Sequence, residues 1–289
     1  PSMGATGEWM MNRRSFFKMV GIAGATTVGG KTAAAETRPE VDDREFMGIL
    51  VDTTLCTGCR RCERSCAEAN GLPAPPEEVA AGGEDRTTSP DQFTVVQQHE
   101  TAAGGVFVKR QCMHCNQPAC AAACLTRAMV KTLDGPVIWR KSKCMGCRFC
   151  MISCPFDVPK FQYDSAMPEI RKCSLCWDRL KEGQQPACVA GCPAKALLFG
   201  ERKKLMDVAQ ARISMHPKRY VHAVYGDDVV GGTGVLYLSP VPFEELGLKT
   251  DLGEKPYPEL TTGFLYGVPM VFLLWPALLL GLKRARRKD

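Results

Sequence analysis

Cysteines carry the chemistry of this sequence. In Cys144-Met-Gly-Cys147-Arg-Phe-Cys150-Met-Ile-Ser-Cys154-Pro155, three thiols follow at two-residue gaps, a fourth comes after three more residues, and proline follows it. A tight loop of this spacing brings three thiolates to one cubane of iron and sulfide and points the fourth toward a neighbouring cluster. The proline ends the loop and presets the next segment. Cys56, Cys59, Cys62 and Cys66 repeat the spacing unchanged. Cys112, Cys115, Cys120 and Cys124 repeat it with a four-residue middle gap, and Cys173, Cys176, Cys188 and Cys192 with an eleven-residue gap and Pro193 next. The four quartets use all 16 cysteines. The reading is four [4Fe–4S] clusters.

Other cysteine chemistries fit less well. A disulfide framework suits a small secreted domain, not 289 residues with triplets this tight. Structural zinc takes two C-x-x-C pairs and has no use for the third cysteine of a triplet or for the trailing one. A [3Fe–4S] cluster would need a missing ligand, and no quartet lacks one.

Charge agrees with anionic cofactors. The formal net charge is +6 with the cysteines counted as neutral. Each [4Fe–4S]2+ core with four thiolates carries about −2, which takes the loaded chain to roughly −2. Basic residues crowd the quartets: Arg60, Arg61, Arg64, Lys109, Arg110, Arg140, Lys141, Lys143, Arg148, Arg171, Lys172 and Lys195. They offset cluster charge and raise reduction potentials, or are ordinary surface charge. A nucleic-acid binder would need a basic stripe with a reading element, and neither is present. Nothing forms a substrate site. The four histidines are His99, His114, His216 and His222, and His114, inside a cysteine loop, reads as a packing or hydrogen-bonding residue. No nucleotide-binding glycine loop is present. The chain by itself is a non-catalytic wire.

Short elements must hold these loops. Strands are expected at 93–96 and 106–108 with a turn at Gly104-Gly105, at 137–139, at 196–199 and at 235–238. The stretch 71–89, rich in Gly, Pro and Glu, reads as a surface loop. A helix is expected over 201–215, with Leu205, Val208, Ala209 and Ile213 on its apolar face. Short strands feeding cysteine loops give an α+β fold.

The ends differ in character. Met10 or Met11 reads as a start, followed by Arg13-Arg14-Ser-Phe16-Phe17-Lys18, a mild apolar stretch and Ala33-Ala34-Ala35. Residues 1–35 read as a twin-arginine export signal, suited to a protein that crosses the membrane already folded around its clusters. Residues 36–238 form the cluster domain, and 239–262, with four prolines, an extended linker. Residues 263–282 hold no charge, enough to span a bilayer core of about 30 Å as a single transmembrane helix. The basic end, 283–289, is then cytoplasmic by the positive-inside rule, which puts the cluster domain on the periplasmic face.

Cys112-Met-His-Cys115-Asn-Gln-Pro-Ala-Cys120, Lys172-Cys173-Ser-Leu-Cys176-Trp-Asp-Arg and Gly183-Gln-Gln-Pro-Ala-Cys188-Val-Ala-Gly-Cys192-Pro193 carry a family resemblance. Over roughly residues 45–240 the chain resembles the four-cluster ferredoxin-type iron–sulfur subunits of membrane-bound respiratory oxidoreductases. These include the hydrogenase-2 ferredoxin-type subunit and the formate dehydrogenase beta subunit. The export signal, the single anchor and Val235-Leu-Tyr-Leu-Ser-Pro-Val-Pro-Phe-Glu-Glu-Leu resemble the hydrogenase-2 subunit more closely; the fourth quartet resembles the formate dehydrogenase subunit. The resemblance implies crossed ligation in two two-cluster lobes. In the outer lobe Cys56, Cys59 and Cys62 join Cys192, and Cys173, Cys176 and Cys188 join Cys66. In the inner lobe Cys112, Cys115 and Cys120 join Cys154, and Cys144, Cys147 and Cys150 join Cys124. Ala67 and Leu125 stand where the family often has proline, which is expected to change loop geometry and not ligation. The implied role is electron relay between a catalytic subunit and an integral membrane subunit that handles quinone. A nickel–iron hydrogenase is the favoured catalytic partner. The alternatives are a formate dehydrogenase or other molybdopterin enzyme, or a cytochrome-linked quinone complex.

Overall fold

The computed structural model describes residues 46–76 and 86–285. The expected export signal, residues 36–45, part of the 71–89 loop and the last four residues of the basic tail lie outside these.

The central strand is β1 (Met47–Asp52). It pairs antiparallel with β8 (Leu197–Glu201) and parallel with β9 (Val235–Leu238), so Ile49 stands between Phe199 and Val235. Gly48 is required at its edge, because a Cβ there would run into the Gly234 carbonyl. Side chains alternate across the sheet. Ile49, Val51, Val235 and Tyr237 face a core shared with Cys188, Cys62, Cys115 and Cys192. Leu50, Leu236 and Leu238 face the opposite way, onto Leu205, Met206 and Ala209 of α6 (Arg202–Met215). One face of the sheet therefore supports the thiols and the other is closed by a helix. On α6, Met206 takes the buried place expected of Val208, which is 38% exposed.

Three two-stranded ribbons hold the remaining loops. β2 (Val95–Thr101) and β3 (Gly104–Arg110) form a hairpin that runs into Cys112. Its turn falls at Ala102-Ala103, not at the expected Gly104-Gly105. The Thr101 hydroxyl accepts from the Ala103 N–H (3.2 Å) and donates to the Gly104 carbonyl (2.7 Å), which fixes the reversal one step earlier. β4 (Met129–Lys131) pairs with β5 (Val137–Trp139), and β6 (Lys160–Phe161) with β7 (Ile170–Arg171).

Short helices follow the cysteine loops: α1 (Arg61–Asn70), α2 (Ala119–Ala122), α3 (Phe149–Ile152), α4 (Trp177–Lys181) and α5 (Ala187–Ala190). Segment 239–262 is not an extended linker throughout. Val241, Phe243 and Leu246 are buried against the sheet, since its apolar residues find the core beside β9. After α7 (Tyr257–Leu260) comes α8 (Thr262–Ala285), which contains Pro269 and Pro276. The stretch Tyr257–Lys283 contains an 18-residue window with a mean hydropathy of 2.0, is long and apolar enough to cross a membrane, and buries none of that window against the rest of the protein.

Candidate metal centres

The loops share a backbone device. The residue before the second cysteine of every quartet has positive φ: Gly58 (+69°), His114 (+48°), Gly146 (+73°) and Leu175 (+56°). A left-handed residue there folds the loop back, so that the first three thiols of a quartet point to one side. A second reversal follows three of the trailing cysteines, where Arg127, Asp157 and Lys195 have positive φ and donate their N–H to the backbone carbonyls of Cys124, Cys154 and Cys192. Cys66 instead stays inside α1, and Ala67 continues that helix where proline would have ended it.

Distant quartets meet in hollows. One, of about 400 Å³, is lined by Cys56, Cys59, Cys62 and Cys192. A second, of about 300 Å³, is lined by Cys66, Cys173, Cys176 and Cys188. A third, of about 310 Å³, is lined by Cys124, Cys144, Cys147 and Cys150. The remaining four are also neighbours: burial, and then Cys112, Cys154 and Cys120, push the Cys115 thiol up. Each set thus joins three thiols of one quartet to the trailing thiol of another.

Burial disfavours the thiolate at many of these positions. Burial pushes Cys62, Cys66 and Cys120 up to about 12 and Cys150 to about 11, with neighbouring thiols adding to the effect. Thiolate sulfur held this way needs a cation to ligate. Among the described residues no group of three or more ligands converges on a single ion position. Sets of four thiols, three local and one from a distant quartet, suit a larger cationic body.

Two buried ammonium groups complete the fit. Of the basic residues near the quartets, Lys109 is 2% and Lys172 6% exposed. Neither forms a salt bridge with a carboxylate among the described residues, and an uncompensated buried charge costs several kcal/mol. Lys109 donates to the Gln111 side-chain oxygen. Lys172 donates to Cys112 Sγ (3.6 Å), to the Cys173 carbonyl (2.8 Å) and to the Val137 carbonyl. Burial lowers the Lys109 ammonium, but Cys188, Cys62, Cys173 and the Tyr237 hydroxyl outweigh it and hold the group above its usual range. Cys112, Cys120 and Cys173 do the same for Lys172. The anions these lysines need are the sulfurs.

Residues 104–202 match the 4Fe-4S dicluster domain family. The chain is 46% identical over 280 residues to a protein of Nitratidesulfovibrio vulgaris, covering 94% of this chain and 76% of that one. It is 34% identical over 277 residues to the hydrogenase-2 operon protein HybA of Escherichia coli O157:H7, covering 82% and 84%. It is 35% identical over 208 residues to the iron–sulfur subunit of the nitrate-inducible formate dehydrogenase of Escherichia coli K12, covering 68% and 69%. The chain belongs to this family of iron–sulfur subunits. As a family member it carries [4Fe–4S] clusters, and the thiol-lined hollows are where the fold has room for them.

Two side chains support these sites: His114 in the packing and hydrogen-bonding role read from the sequence, and Glu63 in a role that was not legible there. His114 packs inside the second loop and accepts from the Val137 N–H at Nδ1 (2.9 Å), which occupies that nitrogen. Glu63, one residue after Cys62, is 3% exposed. It binds Arg60 (2.9 Å), Arg86 (2.7 Å) and the Val96 N–H (2.6 Å), tying α1 to β2. Its only sequence signal was a glutamate between arginines, which also reads as an exposed helix pair.

Proposed function

We propose that this chain is a membrane-anchored, periplasmic electron-transfer subunit that relays electrons through four [4Fe–4S] clusters between a catalytic subunit and a quinone-reactive membrane subunit. The observation that carries it is the gathering of the sixteen thiols into four sets of four. Each set draws three from one quartet and one from another, which supports crossed ligation. Each bound cluster supplies one-electron carriage at a potential set by its surroundings. The chain's own residues position, bury and charge-balance the clusters. Cys59 and Cys147 are exposed members of otherwise half-buried or buried sets, one in each lobe, and mark where electrons enter and leave.

The anchor supports an orientation. Gln117, in the second cysteine loop, donates to Glu259 of α7 (3.2 Å), and α8 begins three residues later. The inner lobe is thus the one beside the membrane, and the outer lobe faces the catalytic partner.

Hydrogenase is the favoured partner, because the similarity to HybA covers 82% of the chain while that to the formate dehydrogenase subunit covers 68%. Extraction of the native membrane in mild detergent, with a metal count on what copurifies, tests both levels. About sixteen irons per chain, nickel and a multi-span membrane protein are expected. Molybdenum or tungsten in place of nickel would move the assignment to a molybdopterin enzyme. A chain recovered alone in the soluble fraction, with little iron, would overturn the relay.

A further inference from the structure

Lys109 and Lys172 occupy the junctions between thiol sets. The sulfurs facing Lys109 come from two of them, Cys62 from the first hollow and Cys173 and Cys188 from the second. Those facing Lys172 are Cys173, again of the second, and Cys112 and Cys120 of the set that has no hollow of its own above. The set of Cys66, Cys173, Cys176 and Cys188 is therefore flanked by both ammonium groups. The hollow of Cys124, Cys144, Cys147 and Cys150 is lined by no lysine; the cation that lines it, Arg148, is exposed.

Adding an electron to a cluster adds a negative charge, and a fixed cation nearby stabilises the reduced form. The effect is large where water is excluded and weak at the surface. We propose that Lys109 and Lys172 are potential-setting residues, buried cations that raise the reduction potentials of the clusters on either side of them, most strongly at the Cys66, Cys173, Cys176 and Cys188 site. The relay then has a low point for the electron in its interior and a less stabilised site at its exposed inner-lobe end. Neither lysine ligates a cluster; both act through the field at it. The inference rests on the four-cluster assignment, and iron content and the number of cluster signals test that assignment separately from the potentials.

The experiment is a redox titration of the purified, iron-loaded full chain in detergent, followed by low-temperature EPR. Two variants separate charge from packing. Lys172→Met keeps the apolar stem and removes the charge. Gln111→Glu keeps Lys109 and places a carboxylate against its ammonium; Gln111 Nε2 is buried without a partner, so the change forfeits no hydrogen bond. Both variants are expected to retain wild-type iron, with two of the four midpoints moved to more negative potential in each. The two pairs share one member, and the Cys147 site stays unmoved. Wild-type midpoints in both variants at full iron content would overturn the proposal. If Lys172→Met loses iron, Gln111→Glu, which deletes no side chain from the core, decides. Iron loss from both, with the remaining clusters titrating at wild-type midpoints, would make the lysines structural and overturn the proposal as well.

Discussion

Cys56 and Cys192 line one hollow although they belong to the first and last quartets of the chain. Cys66 likewise lines the hollow of Cys173, Cys176 and Cys188. This crossing makes a prediction that a site built from one quartet alone does not. Cys192→Ser should perturb or remove the cluster held by Cys56, Cys59 and Cys62 and leave the signal of the Cys173 triplet intact. Cys66→Ser should do the reverse. The check is EPR of the two reduced variants; an identical pattern of loss from both would refute the crossing.

Glu63 is a stabilising group with a defined pH window. Burial alone would raise its carboxyl, but hydrogen bonds from Arg86, Arg60 and the Val96 N–H hold it below its usual range. A carboxyl depressed on folding stabilises fully above its unfolded value of about 4.3, and the increment is lost as pH falls through the lower folded value. Glu63→Gln removes the buried carboxylate that Arg60 and Arg86 share and should cost about 3 kcal/mol at neutral pH. Denaturant unfolding of the variant should lack the acid-side loss expected of the parent as pH falls from about 4.3 to the lower folded value.

The two loop glycines should differ under one substitution. Gly58 has a φ of +69°, and an added Cβ would lie 2.5 Å from the Phe107 ring, whereas Gly146, at +73°, faces open space. Gly146→Ala should cost about 1 kcal/mol of backbone strain alone. Gly58→Ala adds a steric clash and should cost about 2–3 kcal/mol, with iron lost from the outer lobe. Thermal unfolding and iron content of the pair check this, and equal effects would count against the loop geometry.

Removal of α8 should convert the protein from a membrane to a soluble one without emptying it. Its apolar window buries nothing against the cluster domain. A chain ending after Leu260 should fractionate with soluble protein at unchanged iron per chain. Its retention in washed membranes would show that something other than this helix binds the bilayer.

Spacing made the quartets readable, since each triplet is local and its loop geometry follows from the gaps, whereas the assignment of each trailing thiol to a distant triplet came only from the family resemblance. Strands β5 and β9 were legible for the same local reason, an apolar run leading into or closing a cysteine loop. The central strand was not. Met47-Gly-Ile-Leu-Val51 lies between two neighbours and is covered on both faces, so it lacks the alternation that marks a half-exposed strand. Lys109 and Lys172 were visible as basic residues, but nothing local distinguishes them from the exposed Lys141 and Lys143. Their burial depends on sulfurs contributed from far along the chain. His114 and Leu175 hold the same left-handed turn as Gly58 and Gly146, and their residue types conceal it.

The pairing of β1 with β8 and β9 also sets an order in time. The inner thiols are all present once synthesis reaches Cys154, but the hollow of Cys56 has no fourth wall until Cys192, and β1 lacks its parallel neighbour until Leu238. Like nested brackets, the lobe opened first on the ribosome is closed last. A chain stalled or clipped before its final strand would carry all sixteen cysteines yet leave β1 open on one side and the Met113 carbonyl without the Gly234 N–H, so the complete sheet acts as the seal over the thiol-lined core.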